Sequence, residues 1–200
     1  MARGTEDDVF KLIEGDDGKL RPAWAAGDEM LRDYFDNEWG RKIHDEKGVF
    51  ERLSLEVFQS GLSWATILRK RPAFREAFDD FDPEVVATYG PLDVERLLDD
   101  ERIIRNRRKI EATIQNAQAT LALREADDVD GGLAGLFWAH VPSEPILEPG
   151  RVDVPAQIPE SAALAKDLRT RGFTMVGPVN ICASMCAIGV IDVRGESGIF

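Results

Sequence analysis

The stretch VFERLSLEVFQSGLSWATILRKR, residues 49–71, contains an apolar helical run, a glycine turn and a second run that carries cations. On a helical wheel centred on Leu53, Val49 and Val57 fall within about 60° and belong to one apolar stripe. Glu56 lies at the shoulder of this stripe, where a carboxylate is costly to bury unless something pairs with it.

The residues after this helix predict a turn and a second helix. Gly61 is the residue type that ends a helix in a left-handed cap. Leu62 and Trp64 follow it, and a helical run with three cations occupies residues 65–71. Together with Glu56, this pattern is typical of a pocket for a flat, electron-poor ring. The pattern alone leaves open a solvated or ion-paired glutamate beside a core tryptophan. Pro72 is expected to open a further helix.

The residue pattern E-x-x-Q-x-G-L-S-W-x-x-I-L-x-K-R resembles the signature of the DNA-3-methyladenine glycosylase I family. Upstream, YFDNEWG at residues 34–40 is similar to the family's Y-H-D-x-E-W-G, and downstream IIRNRRKIEATIQNAQA at residues 103–119 continues the match. The resemblance spans residues 21–194 in one register. It implies an all-α helix-hairpin-helix DNA glycosylase fold, in which two helical lobes enclose a base pocket.

Composition is typical of one globular domain, because 44% of the 200 residues are hydrophobic. We expect residues 1–20 to form a charged N-terminal extension, either a loose arm or a short helix at residues 8–14. Residues 21–200 are then a single glycosylase domain. The two cysteines, and the absence from the sequence of a long apolar run or signal peptide, predict a cytoplasmic protein with no membrane partner. We expect it to be a monomer.

The net charge of −12 argues against a partner that is nucleic acid, because neutralisation of phosphates supplies most non-specific affinity. The charge is unevenly distributed, however. Residues 101–111 hold five bases against two acids. A net-acidic enzyme binds DNA through one local basic face, so double-stranded DNA remains the expected partner.

That basic segment lies within residues 93–123, where the pattern predicts helix, short hairpin, helix. The resemblance implies that backbone N–H groups at the hairpin bind a DNA phosphate. The cations expected to assist are Arg105, Arg107, Arg108 and Lys109. Family members usually carry Gly where this chain has Arg102. The alternative is an ordinary antiparallel helix pair with a solvated basic face.

The resemblance also assigns roles to residues of the pocket. Glu56 matches the catalytic carboxylate that recognises the adenine edge, and an ionised carboxylate is an acceptor that suits the 6-amino group. Tyr34 and Trp64 match the aromatics that bind the ring, and Trp24 is a third candidate. Aromatic faces attract the positive charge of a 3-methylated adenine nucleotide.

Two further residues are expected to enter the DNA. Leu62, at the tip of the Gly61 turn, is the candidate wedge for the gap left by an extruded base, with Gln59 beside it. Val57 and Ser60 stand where the family commonly has Gly and Ala, which predicts a narrower or more polar pocket.

Many family members hold a zinc ion with two Cys and two His. None of the matching positions in this chain is Cys or His. They are Pro22, Phe35, Arg194 and Gly198. The remaining Cys and His residues of the chain are His44, His140, Cys182 and Cys186. Their spacing in the sequence resembles no common zinc-binding pattern. We therefore expect no metal and no other cofactor, with the termini held together by packing.

The same scarcity of histidine leaves no Ser-His-Asp or Cys-His set, and no lysine stands at a position matched to a Schiff-base nucleophile. We expect base removal by water, without strand cleavage and with free 3-methyladenine as product. Two alternatives remain: a helix-hairpin-helix DNA-binding protein without catalysis, and a glycosylase for a different modified base.

Overall fold

The computed structural model describes residues 11–147 and 154–194, which fold as ten α-helices and one two-stranded sheet. The N-terminal part contains β1 (Leu12–Glu14), β2 (Leu20–Pro22), α1 (Ala23–Ala26), α2 (Glu29–Asn37), α3 (Glu46–Gln59) and α4 (Trp64–Ala77). The rest contains α5 (Pro83–Val86), α6 (Pro91–Asp99), α7 (Arg107–Arg124), α8 (Gly132–Trp138), α9 (Pro159–Thr170) and α10 (Pro178–Ile188). No helix in these two ranges has the length and apolar character needed to cross a bilayer.

Helix α3 lies at the centre of the hydrophobic core. It packs against α4, α7, α8 and α10. All its side chains from residue 52 to residue 58 are buried, including those of Ser54 and Glu56. The apolar stripe predicted from the sequence is therefore one side of a helix that neighbouring elements enclose on nearly every side.

The turn between α3 and α4 follows the sequence expectation. At the start of α3, the Asp45 side chain accepts a hydrogen bond from the Gly48 amide. Gly61 adopts a φ of 81°, the left-handed conformation predicted for the cap, and no neighbouring atom restricts a Cβ there. Ser63 then caps α4 by accepting from the Thr66 amide.

Pro72 lies inside α4 and does not open a new helix, so that prediction is wrong. A proline in a helix removes one backbone hydrogen bond and disfavours continuation. Buried side chains on both sides of it, including Ile67 and Phe74, pack into the same core and keep one helix through this position.

The N-terminal residues that the structure describes form a β-hairpin. Leu12 pairs with Pro22 across the two antiparallel strands, and Gly18, with a φ of 73°, lies in the connecting turn. The helical alternative for residues 8–14 is wrong over β1, and the first three of those residues lie outside the described ranges. The fold is mostly helical, with one hairpin added.

Candidate active site

A cavity of about 540 Å³ opens between helices α1 to α4 on one side and α10 with residues 154–156 on the other. Most of its wall is apolar or aromatic. The structure brings five of the sequence-predicted site residues to this one cavity, namely Trp24, Tyr34, Glu56, Gln59 and Trp64. Such a concave, apolar site with a few convergent polar groups is typical of a small-molecule or base pocket.

Glu56 is the charged residue among the side chains that line this cavity. Its side chain is 7% exposed, and its carboxylate makes no hydrogen bond or ion pair with any residue in the described ranges. Burial raises the pKa of the Glu56 carboxyl to about 8, against the opposing effect of the Arg52 charge. Arg52 bonds to Glu38 instead. A cation or an N–H donor entering the cavity would favour the ionised form of Glu56.

Two aromatic side chains face the same space. The ring centroids of Tyr34 and Trp64 lie 5.5 Å apart, and their planes are tilted by 50°, so the two rings do not form a parallel sandwich. The hydroxyl of Tyr34 and the indole Nε1 of Trp64 are buried without hydrogen-bond partners among the described residues. Burial also raises the pKa of Tyr34, which keeps this hydroxyl a donor. Both polar atoms are enclosed by the protein, although the two residues line the cavity.

Trp39 also lines the cavity, and the sequence analysis did not single it out. Trp24 and Trp39 meet edge to face, with ring centroids 5.6 Å apart. The sequence feature that could have identified Trp39 was its position in the segment YFDNEWG, five residues after Tyr34. Glu38 of that segment bonds to both Arg52 and Arg71, and so joins the end of α2 to α3 and α4 behind the aromatic wall.

The turn after α3 exposes Leu62, and its neighbours Gln59 and Ser63 line the cavity. Leu62 is 37% exposed, and its amide donates to the Gln59 carbonyl while the Gln59 side-chain amide donates back to the Leu62 carbonyl. Gln59 therefore braces the turn from within. Val57 is fully buried and Ser60 is exposed, and neither lines the cavity. The expectation that these two residues make the pocket narrower or more polar is wrong.

Lys109 does not face solvent, so its predicted contact with DNA phosphate is also wrong. The residue is 6% exposed, and its Nζ donates to the carbonyl oxygens of Phe58 and Ser60, each at 2.7 Å. These carbonyls belong to the C-terminal end of α3, where a helix leaves acceptors unpaired and favours a cation. Lys109 thus joins α7 by hydrogen bonds to the turn that contains Leu62.

The other predicted cations are exposed at the start of α7 and in the connection before it. Arg107 bonds to Glu95 at 2.7 Å, Arg105 lies 3.6 Å from Glu101, and Arg108 forms no ion pair with any residue that the structure describes. Their contact with DNA stays a prediction.

Arg102 replaces the family's usual Gly without an unusual backbone, since its φ is not positive. Its side chain bonds to Asp100 and Glu76.

The positions matched to the family's zinc ligands do not fit a metal. Pro22 and Phe35 offer no ligating side-chain atom, and Gly198 lies outside the described residues. The guanidinium of Arg194 donates to the carbonyl oxygens of Phe35 and Trp39 and lies 5.5 Å from the Phe35 ring centroid. A cation that is part of the chain therefore joins the C-terminal segment to the end of α2. Across residues 11–147 and 154–194, no cluster of His, Cys, Asp or Glu is arranged to hold a metal.

Comparison with protein families gives a direct match. The family model described as methyladenine glycosylase aligns with residues 24–198, which is most of the chain. The chain belongs to the methyladenine glycosylase family.

Two curated members of this family have similar sequences over nearly their whole length. DNA-3-methyladenine glycosylase of Haemophilus influenzae is 36% identical over 174 residues, which cover 86% of this chain and 92% of the relative. DNA-3-methyladenine glycosylase 1 of Escherichia coli is 38% identical over 174 residues, covering 86% and 91% of the two chains.

Solved structures of the family share the fold. A crystal structure of 3-methyladenine DNA glycosylase I superposes with a TM-score of 0.77 at 41% identity, covering 84% of this chain and 91% of the other. A Staphylococcus aureus structure that describes 3-methyladenine recognition by the same enzyme has a TM-score of 0.77 at 35% identity, covering 84% and 89%.

The raised pKa of Glu56 predicts a pH-dependent difference in stability. The ordinary pKa of Glu is 4.5, so between that pH and about 8 the unfolded chain releases a proton that the folded chain retains. The free energy of unfolding of the wild type therefore falls as the pH rises through this window, by about 1.4 kcal/mol per pH unit. Glu56→Gln has no such proton, and in urea titrations it should gain stability relative to wild type from pH 5 to pH 9. If the difference in unfolding free energy between the two proteins does not change with pH, the raised pKa of Glu56 is contradicted.

Lys109→Met should destabilise the protein by about 1–3 kcal/mol, because two carbonyl oxygens at the end of α3 lose their donor. Guanidinium unfolding followed by circular dichroism measures the loss. Arg108→Met, an exposed position on the same helix, is the control and should stay within about 0.5 kcal/mol of wild type. Equal effects of the two substitutions would show that the buried ammonium is unimportant.

Arg194→Met should lower the free energy of unfolding by about 1–3 kcal/mol, since it removes the donor shared by the carbonyls of Phe35 and Trp39. A chelator should leave the melting temperature of both proteins unchanged. Metal analysis that finds one zinc per chain, or a chelator that lowers the melting temperature, would refute the expectation that the chain holds no metal.

Proposed function

We propose that this chain is a monofunctional DNA-3-methyladenine glycosylase of base-excision repair, acting as a monomer on double-stranded DNA that contains alkylated bases. Its membership of the family, and the names of relatives that align over nearly their whole length, support this activity. The site residues and the absence of a cofactor are part of the proposal.

One observation carries the proposal: a buried carboxylate without a partner lines an apolar cavity whose wall also includes the rings of Tyr34 and Trp64. Glu56 supplies acceptor oxygens for the exocyclic amino group of 3-methyladenine. The rings of Tyr34 and Trp64 supply aromatic faces that attract positive charge. Trp24 and Trp39 complete the aromatic wall.

Access to the base requires its extrusion from the duplex, which costs a few kcal/mol and least for a damaged pair. Leu62 lies at the tip of a turn braced by Gln59, and it is the side chain proposed to fill the vacated space. The exposed guanidiniums of Arg105, Arg107 and Arg108 are proposed to contact the phosphates beside the lesion. Lys109 is excluded from this set because its ammonium bonds inside the protein.

The chemical step is the hydrolysis of the N-glycosidic bond. The bond between C1′ and N9 breaks, its electron pair passes to the purine and neutralises the positive charge there, and a water oxygen bonds to C1′. The alkylated base is already a good leaving group, so the enzyme need not protonate it. Glu56 mainly recognises the base and stabilises its positive charge, and secondarily accepts the proton of the attacking water.

The substitution Glu56→Gln tests this assignment. It should reduce the release of 3-methyladenine from methylated DNA by at least about 100-fold, because a neutral amide cannot stabilise the cationic base. Chromatography of the liberated bases measures the release. Glu51→Gln, the same change on the same helix but outside the cavity, is the matched control and should stay within about threefold of wild type.

Three results would contradict the proposal. Full activity of Glu56→Gln would end the role of that carboxylate. DNA binding by the wild type without release of any base would show a non-catalytic DNA-binding protein. Release of a modified base other than 3-methyladenine would change the substrate and keep the reaction.

A further inference from the structure

The carboxylate of Glu38, at the end of α2, binds guanidiniums from two other helices. It accepts a hydrogen bond from Arg52 of α3 at 2.8 Å and two from Arg71 of α4, at 2.6 and 2.7 Å. Although burial acts in the opposite direction, these bonds lower the pKa of Glu38. Glu38 is therefore an ionised partner for both guanidiniums at neutral pH.

Arg52 lies one helical turn before the carboxylate that lines the cavity. Arg52 and Glu56 are four residues apart on α3, the spacing at which opposite charges on one helix pair. Both side chains are buried, yet Arg52 bonds to Glu38, and Glu56 has no ion pair with any described residue. The Nε of Arg52 is also buried without a hydrogen-bond partner among these residues. The guanidinium thus has a free donor near an unpaired carboxyl.

The other titratable groups beside Glu56 are neutral at neutral pH. The charge of Glu56 acts on Tyr34 of α2 and on Cys186 of α10, so both lie near its carboxyl. Burial raises the pKa of Tyr34, and a hydrogen bond with Cys182, together with burial, raises the pKa of Cys186 well above its ordinary value. Helix α8, whose sequence is GLAGLFW, contributes no titratable side chain.

The cations of the remaining neighbouring helices are held elsewhere. Arg71 of α4 binds Glu38 and lies 5.9 Å from the centroid of the Tyr34 ring. Lys109 of α7 donates to two backbone carbonyl oxygens at the end of α3. Among the described cations, Arg52 is the one whose charge acts on the pKa of Glu56. The titration of Glu56 therefore reports where the Arg52 guanidinium lies.

We propose that Glu38 is a positioning residue for base removal: by binding Arg52, it keeps that guanidinium away from Glu56 and leaves the Glu56 carboxylate free for the base. This inference rests on the proposed function. A carboxylate paired with a guanidinium offers fewer acceptor sites and less charge to the amino group of a base. Glu51, the other acid beside Arg52 at 3.7 Å, already bonds to Arg75. When Glu38 loses its charge, Arg52 therefore turns to Glu56.

The substitution Glu38→Gln tests the proposal in a carbon NMR titration of the Glu56 carboxyl without base. The pKa of Glu56 should fall by at least about one unit, because a nearby opposite charge favours the ionised form. Affinity for 3-methyladenine, measured by calorimetry, should fall at least about tenfold. Glu51→Gln removes the more distant partner of Arg52 and is the matched control. It should leave the pKa of Glu56 unchanged and the affinity within about threefold of wild type.

A second substitution separates positioning from a purely structural role. Glu38→Gln also weakens the fold, because the guanidiniums of Arg52 and Arg71 lose a carboxylate, so circular dichroism measures the folded fraction. Adding Arg52→Met should return the pKa of Glu56 to the wild-type value or above and the affinity to within about threefold of wild type, since the guanidinium that would pair with Glu56 is gone. If the single variant does not fold, the double variant decides.

Two results would overturn the proposal. An unchanged pKa of Glu56 in folded Glu38→Gln would show that Arg52 does not turn towards it. A folded double variant that binds the base tenfold or more weakly than wild type would show that Glu38 acts only by joining the helices. The titration does not depend on base binding. A wild type that never binds 3-methyladenine, with a lowered pKa of Glu56 in Glu38→Gln, would refute the proposed function and support the placement of Arg52.

Discussion

A carboxylate that is held out of water without a counter-ion is the constraint on which the rest of this structure depends. Glu56 lies on the central helix among apolar neighbours, and Arg52, the nearest opposing charge, is occupied by Glu38. The folded protein tolerates this burial by keeping the carboxyl protonated. A base that brings positive charge and N–H donors supplies what the protein lacks, so recognition and ionisation of Glu56 are linked events.

The C-terminal end of α3 connects that carboxylate to the surface proposed to contact DNA. Glu56 lies one turn before Ser60, and the left-handed Gly61 turns the chain so that Leu62 is exposed. The ammonium of Lys109 satisfies the carbonyls at this end and joins the turn to the first turn of α7. The hairpin proposed to meet phosphate and the wedge proposed to enter the duplex are therefore held in one rigid arrangement.

Local signals in the sequence predicted the parts of the fold that local chemistry decides. The conformation of Gly61 follows from its lack of a side chain, and the helical runs follow from apolar spacing. Resemblance to a family, rather than spacing, placed Tyr34 and Trp64 beside Glu56. The role of Lys109 depends on the contact of α7 with the end of α3, two distant segments, and no local pattern contains that information. For the same reason Lys109, in a row of exposed arginines, was wrongly predicted to be exposed.

The most direct measurement of the central claim is a titration of the Glu56 carboxyl by carbon NMR, with and without saturating 3-methyladenine. The account predicts a pKa near 8 in the free protein and a lower pKa with the base bound, because the amino N–H groups of the base donate to the ionised carboxylate. A carboxyl that titrates near its ordinary value in both states would show a solvated side chain and would contradict the account.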